Sequence, residues 1–395
     1  MDKSLVNRLR EDTPGCTHVL HLNNAGAALS PRPVIDATKQ HLDKEALMGG
    51  YEAALASIED TESVYKNAAQ LINCNPDEIA FVENATRAWD MAFYSFKFKP
   101  GDKILTATAE YASNYLAFLQ MAKHTGVEIE VIKNDASGQL DLEDLKNKLD
   151  APVKLIAITH VPTQGGLINP AQAVGKLAQA MGIPYLLDTT QSIGQMPIDV
   201  EAIGCDFLCA TGRKYLRGPR GTGFLYAREK TTLQYEPPFI DLHSAKWISD
   251  NDYVLRRDAR RFETWEQNIA AKIGLGVALR YALELGLSTI WDRIQHLSSY
   301  LRQQLSQMPS IQLQDLGSHH CGIVTFTCRE KSPTDIQTAL LKQKINVSIS
   351  LEEYARLDLS KRNISSLVRA SVHYYNTIDE LDTFCKALER ILCKQ

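Results

Sequence analysis

One lysine stands in a loop of small residues between two short apolar runs. The stretch from Asp206 to Tyr226 reads DFLCATGRKYLRGPRGTGFLY. Phe207-Leu208-Cys209-Ala210 and Phe224-Leu225-Tyr226 predict strands. The loop between them holds Gly212, Gly218, Gly221 and Gly223, with Lys214 near its start. Small residues let a backbone approach a ligand closely. Lys214, beside Arg213 and shortly after Thr211, suits an amine that forms a Schiff base next to a bound anion. The cationic neighbour lowers a lysine pKa towards the nucleophilic range. Taken alone, the stretch reads equally well as a solvated basic hairpin.

A second stretch shifts that balance. Ile183 to Gln191 is IPYLLDTTQ; Tyr185-Leu186-Leu187 predicts a buried parallel strand, and Asp188 stands at its carboxyl end. Ligands of open α/β sheets sit outside that end of the strands. An acid there, followed one strand later by a lysine, is the pair that pyridoxal phosphate needs. The acid keeps the pyridine nitrogen protonated, so the ring acts as an electron sink, and the lysine carries the aldehyde.

With these residues in view, the chain resembles the fold-type I pyridoxal-phosphate enzymes of the class V aminotransferase and cysteine desulfurase group. The matching pieces follow in family order: LNNAGAALSP at 22–31, ENAT at 83–86, EYASN at 110–114, THVPTQGGLINP at 159–170, LLDTTQ, TGRK, RRFETWEQN at 260–268 and VRASVHYYNT at 368–377. They span nearly the whole chain. The resemblance implies an α/β fold: a large domain on a mostly parallel sheet and a smaller α+β C-terminal domain. It divides the chain into an N-terminal arm (1–25), a pyridoxal-phosphate domain (26–265) and a small domain (266–395). The LNNAG, GGYE and RRFETWE forms look most like the hercynylcysteine sulfoxide lyase and isopenicillin N epimerase-like branch.

Composition agrees with such an enzyme. The chain has 395 residues, 44% apolar and 23% charged, with a net charge of −4. That balance gives no electrostatic case for nucleic acid or an anionic membrane. No apolar run reaches the roughly 18 residues of a membrane span. The N-terminus, MDKSLVNRLREDTPG, has no apolar signal core, so the expected location is cytoplasmic. Eight cysteines are scattered without a CxxC pair, which predicts reduced core thiols rather than a disulfide framework. His319-His320-Cys321 reads as a loop feeding a strand rather than a metal site, and no metal is expected.

The elements that must position these residues alternate as strand and helix, as βαβ units do. Strands are expected at Ile79–Val82, 103–106, 126–133 and 155–159, with helices between them. A helix from Val34 to about Leu47 breaks at Gly49-Gly50, and a second helix runs on to about Ile72. Residues 247–258 read as irregular surface. A long helix from Ile269 closes at Gly286. Strands near 322–327, 345–350 and 368–372 make the small domain.

Site residues follow in order, mostly as the resemblance implies them. Gly26 lies near substrate, and Tyr51 is a substrate candidate from the broken-helix loop. Ala85 and Thr86, at a strand-turn-helix junction, suit phosphate binding by free N–H groups, against the alternative of an ordinary N-cap. Tyr111 takes the place of a histidine that stacks on the cofactor in desulfurase-like relatives. It can stack but is no general base near neutral pH, which leaves Lys214 as the proton carrier. Thr163 or its neighbour Gln164, together with Gln191, reaches the pyridoxal 3′ oxygen. Thr211 and Arg213 match phosphate ligands, and a guanidinium clamps phosphate well. Arg369, in an otherwise apolar strand, is either half of an internal ion pair or the clamp of the substrate α-carboxylate. Trp265 and Glu266 occupy the positions that reach the neighbouring subunit in a homodimer. Glu266 replaces a threonine phosphate donor and is expected to turn away or meet an amino group.

A small amino-acid substrate, pyridoxal phosphate and one lysine base allow elimination, transamination or epimerisation. Desulfurases add a mobile cysteine before the Arg369 strand, and residues 346–367 contain none. The expected reaction is therefore β-elimination by a C–S lyase on a cysteine-derived amino acid, giving a sulfur product, pyruvate and ammonia. An aminotransferase or epimerase is the alternative. A non-catalytic relative is disfavoured, because Lys214, Asp188 and Arg369 are all present.

Overall fold

The computed structural model describes residues 1–149 and 152–393. Seven strands form one twisted sheet in the order Ile79–Val82, Gly223–Ala227, Phe207–Thr211, Tyr185–Asp188, Val153–Thr159, Lys103–Ala107 and Glu128–Ile132. Five neighbours run parallel; Gly223–Ala227 alone runs against both of its partners. The middle strands are buried on both faces, as covered parallel strands must be, which is why they read as unbroken apolar runs. One consequence governs the site. Val82, Ala107, Thr159, Asp188 and Thr211 all end at the same edge, and the loops that follow them meet there.

The second sheet is antiparallel, in the order Ile311–Leu313, Ile323–Cys328, Ser366–Ser371, Ser348–Leu351. Helices Leu287–Ser306 and Pro333–Leu341 pack on it, and Ile378–Leu392 packs against both of them. Arg369 lies in its middle strand, opposite Thr325 and Ser348. The arm joins this sheet's domain. Leu20–His21 pairs in parallel with Ile345–Asn346, Asn24 Nδ2 donates to Ser371 O at 2.7 Å, and Arg10 meets Glu380 at 2.8 Å. Helix Ile269–Leu285, beyond the expected division at 265/266, packs on helices Arg32–Met48 and Ile58–Ile72 of the large domain.

Two expectations need correction. The helix expected to run to Ile72 is two helices, Gly50–Ala56 and Ile58–Ile72, because Ser57 leaves helical geometry (φ −115°, ψ 25°). Residues 247–258 are not irregular throughout: Ala245–Ser249 and Asp252–Leu255 form an antiparallel hairpin. Most of its side chains face solvent, so no burial pattern marked it in the sequence.

Arg217 ties the lysine loop to both chain ends. It is buried and left-handed (φ 62°). Its Nε donates to Leu29 O at 2.8 Å, and its two terminal nitrogens donate to Tyr374 Oη and Thr13 Oγ1 at 2.6 Å each. The Tyr375 ring lies 4.7 Å from its guanidinium carbon. Among the described residues no carboxylate bonds to it; neutral oxygens and aromatic faces hold the charge. Arg217→Ala strands three acceptors and is expected to cost about 3 kcal/mol. The thermal midpoint of the apoprotein should fall by roughly 5 °C; a fall below about 1 °C would show that the staple is not needed.

Candidate active site

The loops at the carboxyl edge enclose a chamber of about 500 Å³. Ala85, Thr86, Tyr111 and Thr163 line it. So do Asp188, Gln191, Thr211, Arg213 and Lys214. A second chamber, of about 410 Å³, opens beside it towards the small domain. Gly26 and Arg369 line this one, and Tyr111, Thr163, Arg213 and Lys214 are common to both. Lys214 therefore stands where the large domain's chamber meets the small domain's.

Local sequence explains each placement. Asn84 caps the helix Ala85–Phe93, accepting from Arg87 N at 2.9 Å, which leaves the N–H groups of Ala85 and Thr86 free at the chamber wall. Gly223 lets this turn come close: a Cβ there would sit 2.4 Å from Ala210 O and 3.0 Å from the Asn84 carbonyl carbon. Asp188 accepts from Thr190 N at 2.8 Å and from Asn114 Nδ2 at 3.0 Å. Burial, with the charges of Arg213 and Arg369 added, pushes the Lys214 amine well below the usual lysine range. A neutral amine is the form that can accept a proton or attack a carbonyl.

Arg369 is buried and burial lowers its guanidinium to about 10, so it remains charged at neutral pH. One terminal nitrogen donates to Thr163, to the carbonyl at 3.1 Å and to the hydroxyl. The other reaches Asn23 Oδ1 at 3.5 Å. Among the described residues no acid pairs with it, and its Nε has no partner. The internal ion pair is thus not what the structure contains. A buried cation without an anion is a site waiting for one.

Thr163, not Gln164, faces the site. The Gln164 amide donates to Asp358 at 3.3 Å, away from the chamber, while Thr163 Oγ1 accepts from Gln191 Nε2 at 3.1 Å. Gln191 Oε1 is buried and unpaired. Arg213 donates to Gly26 O, which fastens the small-residue turn to the lysine loop. Tyr51 is not in either chamber. It lines a separate cavity of about 970 Å³, with Leu55, Ile58, Trp265 and Glu266. Tyr51 and Trp265 are 74% and 58% exposed, so within one chain neither meets Lys214. Among the described residues, no cysteine lines either chamber and no three metal-ligating side chains cluster.

Glu110 and Asn114 were missed by the sequence reading. Glu110 is buried, and its carboxylate accepts from Thr106 Oγ1 at 3.0 Å, Tyr111 N at 2.8 Å, Asn114 Nδ2 at 2.9 Å and Thr159 N at 3.2 Å. Burial pushes it up to about 7 against those donors. Asn114 uses one amide nitrogen to join Glu110 and Asp188. The spacing Glu110–Asn114 at the head of helix Ala112–Thr125 was the available signal.

The comparisons agree with this geometry. The model of the aminotransferase class-V family matches residues 20–384. The chain belongs to the class-V aminotransferase family. Within the family, a probable cysteine desulfurase of Pyrococcus abyssi is 31% identical over 392 residues, covering 97% of each chain. The apo structure of cysteine desulfurase from Thermococcus onnurineus NA1 superposes with a TM-score of 0.91 at 30% identity, over 98% of this chain and 97% of that one. A complex of the cystine C–S lyase C-DES with cysteine persulfide has a TM-score of 0.85 at 20% identity, over 95% and 98%, and shares the fold. Class-V membership accounts for the parallel sheet and the lysine at its carboxyl edge. Among the described residues, no single helix is long and apolar enough to cross a membrane.

The paired chambers fit pyridoxal phosphate. A helix N-terminus with Thr86, Thr211 and Arg213 offers phosphate donors, Asp188 an acid for the ring nitrogen, and Gln191 and Thr163 polar atoms between the chambers.

Proposed function

We propose that this class-V enzyme, with pyridoxal phosphate as its cofactor, cleaves the C–S bond of a cysteine-derived amino acid by β-elimination. The observation that carries the reading is Arg369: a buried guanidinium without an acid, opening on the chamber that Lys214 also lines. Bound here, the cofactor supplies the electron sink that makes an amino-acid α-proton removable. Arg369 holds the α-carboxylate as a planar fork. The Lys214 amine takes the proton from Cα. Asp188, fixed by Asn114 and the Thr190 N–H, holds a proton at the ring nitrogen. Tyr111 covers one wall, and Ala85, Thr86, Thr211 and Arg213 take the phosphate. Loss of Cα–H and Cβ–S releases a thiol; hydrolysis of the remaining enamine gives pyruvate and ammonia.

The relatives' names favour a second reading, a cysteine desulfurase. Such an enzyme needs a cysteine at the substrate sulfur. The loop before the Arg369 strand presents Tyr354 to the substrate chamber instead, and the strand ahead of it Ser348 and Ser350. The nearest thiol in sequence to Lys214, Cys209, is buried in its strand, and burial raises it well above the usual thiol range. The apolar face around Leu42, Tyr51, Leu55, Ile58 and Trp265 suits a second copy of the chain, with Trp265 and Glu266 approaching the partner's site.

Incubation of the holoenzyme with L-cysteine and with S-alkyl cysteines separates the readings. Pyruvate is expected in equal amount to the sulfur product, sulfide from L-cysteine and free thiol from the S-alkyl cysteines. Alanine in place of pyruvate would transfer the assignment to desulfuration, and accumulation of the pyridoxamine form to transamination.

A further inference from the structure

Arg220 lines both chambers, and the assigned roles leave it unused. Among the described residues it makes no hydrogen bond or ion pair, and it is exposed. The substrate chamber has three guanidiniums in its wall, Arg213, Arg220 and Arg369, and no aspartate or glutamate. Arg213 is lowered by burial and then by the charge of Arg220, so the two cations stand close enough to repel; the acids that share a chamber with them, Glu83 and Asp188, line the cofactor side. Like charges held together without a counterion favour an anion between or beside them.

The anions already assigned do not use Arg220. The α-carboxylate has Arg369. The phosphate has the N–H groups at the head of the Ala85–Phe93 helix, Thr86, Thr211 and Arg213. Arg220 instead shares the substrate chamber with Tyr111, Ile349 and Tyr354, where a sulfur substituent would extend. That wall offers two aromatic rings, one aliphatic side chain and one free cation.

We propose that Arg220 forms a second anion subsite, and that the amino acid cleaved here carries an acidic group on its sulfur substituent. A carboxylate, sulfinate or sulfonate a few bonds beyond sulfur has the chemistry that a free guanidinium recognises. The inference rests on the C–S lyase reading and narrows its substrate: a cysteine conjugate or disulfide with two separate acidic groups.

The test compares S-(2-carboxyethyl)-L-cysteine with S-propyl-L-cysteine, which match in length and differ in charge. With wild-type holoenzyme, kcat/KM for pyruvate release is expected to favour the carboxyethyl compound by about 50-fold, the range of one charge-assisted hydrogen bond. In Arg220→Ala the ratio should fall to near unity, and Arg220→Lys should restore part of it. The cofactor dissociation constant, read by absorbance, is measured on the same proteins. A raised cofactor dissociation constant in Arg220→Ala with an unaltered ratio would make Arg220 a phosphate ligand and overturn the subsite. A wild-type ratio near unity would also overturn it. Dissociation constants for both conjugates, read from the change in the visible band, report the same preference without turnover. Absence of pyruvate alongside a retained binding preference would therefore refute the lyase reading alone.

Discussion

Replacing Lys214 by alanine is expected to lower turnover by about 10⁴-fold, the upper range for a positioned proton carrier. The lysine is 8% exposed, and the buried His160 is already bonded to Ser192 at 3.0 Å. The same change removes the amine that anchors the aldehyde. The variant's visible absorption should therefore lose the lysine-bound band, while pyridoxal phosphate still binds through the phosphate cradle and Asp188. Added methylamine should restore part of the activity, because the chamber of about 500 Å³ can admit a small amine. Retention of turnover within about tenfold of wild type would place the proton carrier elsewhere.

The second large effect belongs to Arg369. Two charge-assisted hydrogen bonds to a carboxylate amount to about 3–6 kcal/mol together. Arg369→Ala should raise KM by at least about 100-fold. Arg369→Lys should recover only part, since a point charge cannot match the planar fork. Cofactor binding in both variants should stay close to wild type, because Arg369 lines the substrate chamber and not the cofactor chamber. Steady-state kinetics with a cysteine conjugate and a cofactor titration check the two statements separately. An unchanged KM would mean that the carboxylate binds elsewhere, with Arg213 the next cation in the chamber wall.

Much of this was legible in the chain. Asp188 and Lys214 stood out because buried parallel strands write themselves as apolar runs, and a charge at their end interrupts the run. The turn at Asn84 was legible as a strand, a small polar turn and a helix start. Glu110 was not. A carboxylate satisfied by neutral donors from two other strand ends has no local signature and reads as a solvated acid. The hairpin Ala245–Leu255 was lost for the opposite reason: both its faces meet solvent, so nothing alternates. Tyr51 was placed by an expected loop, and only tertiary geometry reveals that it lies in helix Gly50–Ala56 and lines a different cavity.

The parallel pairing of Leu20–His21 with Ile345–Asn346 sets an order of events on the ribosome. The strands and loops that line the chamber around Lys214 lie between Ile79 and Ala227, and emerge as one continuous block. The Gly26 turn is made before that block, yet the strand and the Ser371 contacts that fasten it arrive near the end of the chain. At about 5–20 residues per second, the arm waits roughly 15–65 s for its partner. A growing chain can thus assemble the wall around Lys214 well before Arg369 is made. Premature termination after the large sheet would leave a fragment that carries Lys214 and lacks Arg369.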